Sequence, residues 1–83
     1  MSSDAESVRT WLVAWLGERG TLPSRDELDG FNYLTGGVID SFAVLELVAD
    51  SEDAFGIQYT PEDFQNRSFA TIDGLTAIIL ARR

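Results

Sequence analysis

The 83-residue sequence contains no histidine, no cysteine and no lysine, and all six of its basic residues are arginines. Without histidine and cysteine, its side chains cannot form a Ser-His-Asp or Cys-His triad, a Cys/His zinc site or a thiolate nucleophile. Without lysine, they cannot form a Schiff base or a P-loop. What remains is carboxylate chemistry, a hydroxyl group, or binding.

Long apolar runs are also missing, since no stretch reaches the roughly 18 residues that a membrane-spanning helix needs. The N-terminal segment is acidic, whereas a signal peptide begins with a positively charged region. The lack of cysteine excludes a disulfide scaffold and fits a reducing compartment. We therefore expect a cytoplasmic protein with no membrane partner, folded as a single domain over residues 1–83.

Acidic residues outnumber basic ones by 14 to 6, which gives a net charge of −8. Because phosphate contacts need clustered arginine or lysine, we expect basic protein partners and no nucleic acid. The imbalance is local, since residues 40–63 contain seven acidic side chains and no basic one. Acidic runs are often solvated helix faces, and on charge alone that alternative stays open.

Apolar periodicity predicts an all-α fold, a four-helix bundle with three main helices, a short third helix and a long loop between the first two. The first helix runs from about Asp4 to Glu18, after a capping box of Ser3 and Glu6. Its apolar stripe consists of Val8, Trp11, Leu12, Trp15 and Leu16. The loop, residues 20–39, has enough apolar residues to lie across a core: Leu22, Leu28, Phe31, Tyr33, Leu34, Val38 and Ile39.

The second predicted helix begins near Asp40 or Ser41 and ends before Gly56. Its apolar residues predict a buried stripe with Val44 and Leu47 on its flanks; the stripe comprises Phe42, Leu45, Val48, Ala49 and Phe55. The opposite face would then expose three carboxylates at helical spacing: Glu46, Asp50 and Asp53. Like charges at this spacing repel each other, so a face that costs stability is a modest sign of use.

Two shorter patterns predict the remaining helices. Thr60 and Pro61 are typical of a helix start, and the short helix that follows would bury Phe64. A fourth helix would begin at Thr71 or Ser68 and turn four residues inward: Ile72, Leu75, Ile78 and Ile79. Arg82 and Arg83 would complement the dipole at its C-terminal end.

The most informative stretch is Gly36-Gly37-Val38-Ile39-Asp40-Ser41-Phe42, which places a serine at the start of an amphipathic helix. On local chemistry alone, Ser41 or Asp40 could simply be an N-cap.

The other acidic groups of the sequence indicate neither a metal site nor a catalytic site. Residues 50–56 lack the ligand pattern of a calcium loop, so we expect no metal site. No spacing supports two carboxylates that converge for acid–base catalysis.

Motif, element order and spacing together make almost the whole chain resemble the acyl and peptidyl carrier proteins (thiolation domains), of the freestanding type. Asp40-Ser41-Phe42 stands where the family usually has Asp-Ser-Leu, and Glu46-Leu47-Val48 and Phe55-Gly56-Ile57 are also similar. The resemblance implies that Ser41, between the motif residues Asp40 and Phe42, is the attachment point of 4′-phosphopantetheine. It implies a monomeric carrier, not an enzyme, that holds an acyl or aminoacyl group as a thioester on an imported thiol.

The resemblance also implies the partners. They are a phosphopantetheinyl transferase that uses coenzyme A, an acyl- or aminoacyl-loading ligase, and downstream enzymes with basic docking surfaces, of polyketide or nonribosomal peptide type. Glu46 falls on a position associated with partner recognition, and Asp50 and Asp53 extend that face. Asp40 would contact the transferase or its metal.

Two departures from the family pattern bear on partners and cargo. Phe42 replaces the usual leucine, which would alter the partners that read the motif. The residues Ala49-Asp50-Ser51 replace larger apolar residues, which favours a filled core and a short or polar cargo. The alternative function is a small acidic helical interaction module without a prosthetic group.

Overall fold

The structure, a computed structural model, describes residues 4–28 and 30–83, apart from the side chain of Arg25. These residues form four α-helices: α1 (Asp4–Gly17), α2 (Ser41–Phe55), α3 (Pro61–Gln65) and α4 (Ile72–Arg82). Two short 3-10 turns, Arg25–Glu27 and Arg67–Ala70, lie between them. No strand occurs within the described ranges, so the all-α prediction is confirmed. None of their helices is long and apolar enough to cross a membrane.

Helices α1 and α4 pack against each other and provide half of the buried apolar core residues. The predicted stripe of α1 is confirmed, with Trp11 partly buried and the others buried: Val8, Leu12, Trp15 and Leu16. Ser3, half of the expected capping box, lies outside the described residues. The inward face of α4 is also as predicted, and it buries Thr76 as well. Thr71 caps this helix, accepting a hydrogen bond from the Gly74 N–H at 3.0 Å.

The long connection between α1 and α2 is fastened to the core at Tyr33, which is fully buried. Its N–H donates to the Ala70 carbonyl at 3.1 Å, and its hydroxyl donates to the Phe69 carbonyl. Burial raises the pKa of this hydroxyl, because the charged form would lose its solvation. Four of the predicted apolar anchors are buried: Leu28, Tyr33, Val38 and Ile39. The loop therefore lies across the core, as expected.

Helix α2 begins and ends where predicted, but its predicted buried stripe is only partly right: Val48 and Phe55 are partly buried against the core, whereas the other three residues are exposed. Phe42 is 71% exposed and Leu45 is 67% exposed. Ala49 is exposed too. The residues that α2 buries completely are Leu47 and Ser51.

The physical reason is a second stripe in the same helix, formed by Val44, Leu47, Val48, Ser51 and Phe55. The Ser51 hydroxyl lies 2.7 Å from the Leu47 carbonyl and 2.7 Å from the Tyr59 hydroxyl, so this polar residue is satisfied inside the core. Such satisfaction removes the usual cost of burying a hydroxyl. Helix α2 can therefore bury the polar Ser51 while the large apolar residues Phe42 and Leu45 face the solvent.

Helix α3 begins as predicted, with Thr60 as N-cap and Pro61 at the first position, but Phe64 is half exposed. Asp63 is buried instead. It accepts a hydrogen bond from the Thr60 N–H at 2.9 Å and two from Arg82, at 2.9 Å from Nε and 2.7 Å from Nη2. The hydrogen bonds from Arg82, together with the one from Thr60, lower the pKa of Asp63 to about 2. Arg82, expected to act on the α4 dipole, thus also ties α4 to α3.

Candidate functional site

Ser41 is the first residue of α2, and its side chain is exposed. The preceding residue, Asp40, has extended backbone angles and caps the helix, since its Oδ1 accepts from the Ala43 N–H at 2.8 Å. Its carbonyl accepts from the Val44 N–H at 3.2 Å. Asp40 therefore provides the cap, and the Ser41 hydroxyl has no hydrogen-bond partner within the described part of the chain.

The loop before Ser41 is shaped by two adjacent glycines. Gly37 has a φ of 77°, a left-handed conformation that side-chain-bearing residues rarely adopt. A Cβ atom at Gly36 would overlap the ring of Phe31. The N–H groups of Val38 and Ile39 then both donate to the Tyr33 carbonyl, at 3.1 and 3.3 Å. This turn anchors the chain to buried Tyr33 just before the exposed start of α2.

Three apolar residues on the exposed face of α2, which we call the apolar ridge, begin beside Ser41: Phe42, Leu45 and Ala49. Their spacing of three and four residues places them on one side of the helix. Large side chains such as Phe42 and Leu45 are costly to leave in water, and clustered exposed apolar residues often mark interaction sites. The ridge is therefore the feature of α2 that the fold itself does not explain.

The three predicted docking carboxylates are all exposed, but their surroundings differ. Asp50 accepts a hydrogen bond from the indole Nε1 of Trp15 at 2.8 Å. Arg19 Nη2 lies 3.8 Å from a Glu46 oxygen and 4.0 Å from an Asp50 oxygen. Asp53 has no hydrogen bond or ion pair with any described residue. Two of the three thus contact α1 or the residues just after it, and the third does not.

Much of the acidic run between residues 40 and 63 takes part in hydrogen bonds or ion pairs within the fold. Glu52 accepts a hydrogen bond from the Tyr59 N–H at 3.0 Å, in addition to the roles of Asp40 and Asp63 already described. Within the described ranges, Asp53 and Glu62 are the acidic residues of this run without a hydrogen bond or ion pair. The solvated-face alternative therefore applies to Asp53, since Glu62 still attracts Arg82, and much of the remaining charge holds elements together.

Sequence reasoning missed Arg19 and the exposure of the apolar ridge. A signal for Arg19 was present, because it follows Trp15 by four residues, a spacing at which a guanidinium can lie over an indole ring. Tyr59 was missed as well. Burial is the main reason that its pKa is raised to about 12, and its hydroxyl meets Ser51 in the core.

The described residues contain no group of three or more acidic side chains placed to hold a metal ion. A groove of about 300 Å³ lies against α1 and is lined by Arg9, Thr10, Val13, Ala14 and Leu28. No residue of α2 lines this groove, so it is not connected with Ser41 through that helix.

The chain matches no protein-family model, no curated protein and no solved structure. A functional assignment must therefore come from the residues around Ser41.

Proposed function

We propose that this protein is a phosphopantetheine-dependent carrier. A separate transferase moves 4′-phosphopantetheine from coenzyme A to the Ser41 hydroxyl: the Ser41 oxygen bonds to the phosphorus and loses its proton, the pyrophosphate bond of coenzyme A breaks, and adenosine 3′,5′-bisphosphate leaves. The bound group supplies a thiol, which holds an acyl or aminoacyl cargo as a thioester. The chain itself performs no catalysis in this proposal, since it contributes an attachment point and a surface that partner enzymes recognise.

The observation that carries this proposal is that Asp40, and not Ser41, caps helix α2. A serine at a helix start normally has an evident use as an N-cap. Here the Asp40 carboxylate already accepts from the Ala43 N–H, and Ser41 is exposed without a partner in the described residues. Its hydroxyl is accessible to an enzyme, and its modification would break no hydrogen bond of the fold.

The position also suits a phosphodiester. The N–H groups of the first helical turn have no partner inside the helix, and the helix dipole puts partial positive charge at that end. A phosphate attached to Ser41 would lie at this end of the 15-residue helix α2. Asp40 would repel this phosphate. One oxygen of its carboxylate already accepts the hydrogen bond of the helix cap. The other oxygen would contact the transferase or the metal ion of the transferase.

The surface beside Ser41 supports docking of other proteins. The apolar ridge starts at the next residue, Phe42, and Glu46, Asp50 and Asp53 lie along its flank. An apolar strip beside carboxylates is complementary to an apolar surface with basic residues at its edge. The transferase, the loading ligase and downstream biosynthetic enzymes would each carry such a surface.

A short or polar cargo remains part of the proposal. The inward positions of α2 are filled, because Leu47 and Ser51 are completely buried and Ser51 is bonded to Tyr59. A long acyl chain would have to displace these contacts. The cytoplasmic location, the monomeric state and the bundle arrangement of the four helices are also proposed, and the packing of α1 against α4 supports the last of these.

The alternative is an acidic helical interaction module without a prosthetic group. The exposed apolar ridge would serve such a module equally well. The two functions differ in the need for Ser41. A carrier loses its activity when the hydroxyl is removed, whereas an interaction module keeps it.

The deciding experiment incubates the purified protein with coenzyme A and a promiscuous phosphopantetheinyl transferase, and measures its intact mass. We expect the wild type to gain one phosphopantetheine group and Ser41→Ala to gain none. Ser68→Ala is the matched control, because Ser68 is also exposed and is also followed by a phenylalanine; it should be modified like the wild type. An unmodified wild type, or a modified Ser41→Ala protein, would refute the proposal.

A further inference from the structure

Arg19 lies just after α1, and its side chain is partly buried, at 29% exposed. This side chain makes an unusual set of contacts. The guanidinium carbon is 3.4 Å from the centre of the Trp15 ring, a cation–π stack. Its Nη1 donates to the Trp15 carbonyl at 3.0 Å. A long surface side chain is normally mobile, so these contacts hold Arg19 in one place.

The same guanidinium extends to α2. Its Nη2 lies 3.8 Å from Glu46 and 4.0 Å from Asp50. Asp50 is fixed in turn by the Trp15 indole, which donates to it at 2.8 Å. Trp15 thus positions both the cation and one of its anions. The Arg19 guanidinium therefore stacks on the Trp15 ring beside these two carboxylates.

We propose that Arg19 determines which carboxylates of α2 a basic partner can use. In the free protein it occupies Glu46 and Asp50, so a partner guanidinium or ammonium must displace it to reach them. Asp53, which has no partner in the described residues, is the carboxylate open for first contact. This inference rests on the proposed function for the identity of the partners, but not for the competition itself.

The competition has a physical basis in local concentration. Arg19 is attached to the same chain and stacked in place, so an incoming cation competes with an intramolecular one. The cation–π stack and the hydrogen bond to Trp15 hold the guanidinium next to Glu46 and Asp50, although each exposed ion pair alone is weak. Loss of the Arg19 charge should therefore free Glu46 and leave Asp50 bonded to the Trp15 indole alone, which should raise the affinity for basic partners in a salt-dependent way.

The test compares Arg19→Gln with Arg67→Gln. Both variants remove one positive charge, but Arg67 is exposed and has no ion pair within the described ranges. A global charge effect would therefore be the same in both. Two probes are used: the rate at which the transferase modifies Ser41 at subsaturating carrier, and the affinity for a tetra-arginine peptide measured by fluorescence anisotropy.

We expect Arg19→Gln to raise the rate and the peptide affinity about two- to tenfold at low salt, and Arg67→Gln to raise them less than twofold. High salt should remove the difference. Equal effects of the two variants, or a decrease with Arg19→Gln, would overturn the inference. If the transferase modifies no protein, the proposed function fails and the peptide measurement alone decides about Arg19.

A double-mutant cycle locates the effect on the acidic side chains. Glu46→Gln should change peptide affinity less than twofold in the wild type, where Arg19 already occupies it, and should reverse much of the gain in Arg19→Gln. Asp53→Asn should weaken binding in both backgrounds. Should Arg19→Gln lose the fold, Arg19→Lys serves instead, since its weaker stacking on Trp15 predicts a smaller gain of the same sign. No coupling between positions 19 and 46 would contradict the competition.

Discussion

Helices α2 and α4 are both long and apolar, yet they relate to the core in opposite ways. Helix α4 buries five of its 11 residues, whereas α2 buries two of its 15. Leu75 of α4 is fully buried, and Leu45 of α2 is 67% exposed. Similar side chains therefore hold the fold in one helix and face the solvent in the other. The difference indicates that α4 is a structural helix and that α2 presents a surface, with Ser41 at its first position.

The sharpest way to test this comparison is to truncate one leucine in each helix. Leu75→Ala should lower the free energy of unfolding by about 2–5 kcal/mol, because it leaves a cavity in the core. Leu45→Ala should change it by less than about 0.5 kcal/mol, because the side chain is already in water. Urea denaturation measures both. Similar losses in the two variants would show that the outward face of α2 is wrong.

The next effect concerns Asp63, the buried carboxylate that joins α3 to α4. Asp63→Asn should cost about 1–3 kcal/mol, since it removes the charge that Arg82 contacts through two nitrogens. The control is Asp53→Asn, which removes an equivalent charge from an exposed and unpaired site and should cost little. Chemical denaturation at neutral pH compares them, and equal costs would argue against a structural role for the Asp63–Arg82 pair.

The same carboxylate predicts an acid transition. Its pKa in the folded protein is about 2, below the ordinary value of 3.8, so folding favours the charged form. Its contribution is therefore complete above the ordinary pKa and is lost as the pH falls from about 4 to about 2. Thermal melts over this range should show the loss in the wild type and a smaller one in Asp63→Asn. An identical pH dependence would contradict this assignment.

A smaller effect is expected at the bond between α2 and the segment that follows it. Tyr59→Phe removes the hydroxyl that lies 2.7 Å from Ser51, while Ser51 keeps its bond to the Leu47 carbonyl. We expect a cost of about 1 kcal/mol in denaturation experiments. Ser51→Ala and the double variant complete the cycle, and strictly additive costs would show that the two hydroxyls do not interact.

The smallest effect on stability and a clear effect on partners should come from Phe42. Phe42→Ala should alter the free energy of unfolding by less than about 0.5 kcal/mol, because the ring is largely exposed. It should nevertheless slow the modification of Ser41, since partner enzymes would lose an apolar contact. Phe42→Leu, which keeps an apolar side chain, should retain most of the rate. An unchanged rate in Phe42→Ala would show that this end of the apolar ridge is not a docking surface.

Sequence periodicity was sufficient for α1 and α4 because their buried residues are almost all apolar. Val8 and Leu12 in α1, and Leu75 and Ile79 in α4, recur at helical spacing and have no competing stripe. The loop could also be placed, since buried residues such as Tyr33 are spread along it. In these segments the burial of apolar side chains is the main factor that decides which side faces inward.

Periodicity failed for α2 because two stripes compete there. Phe42 and Leu45 make one face of the helix apolar, whereas the other face contains the polar Ser51. The structure buries Ser51 because Tyr59, eight residues away, satisfies its hydroxyl, and no pattern within α2 itself contains that information. Phe64 was misplaced for a similar reason, since the burial of Asp63 depends on Arg82 from another helix.

The candidate site was partly predictable. Ser41 and Asp40 could be placed at a helix start from local sequence, and the exposure of Glu46, Asp50 and Asp53 is confirmed. The engagement of Glu46 and Asp50 by Arg19 could not be predicted, because it depends on how the end of α1 lies against α2. Their role in partner recognition stays a prediction.

The attachment of phosphopantetheine to Ser41 is tested most directly by fragmentation mass spectrometry of the transferase-treated protein. Because the chain lacks lysine, trypsin releases residues 26–67 as one peptide, which contains both Ser41 and Ser51. Fragment ions within it can distinguish exposed Ser41 from buried Ser51. We expect the added group on Ser41 alone. An unmodified peptide, or a group on any other residue, would contradict the carrier function.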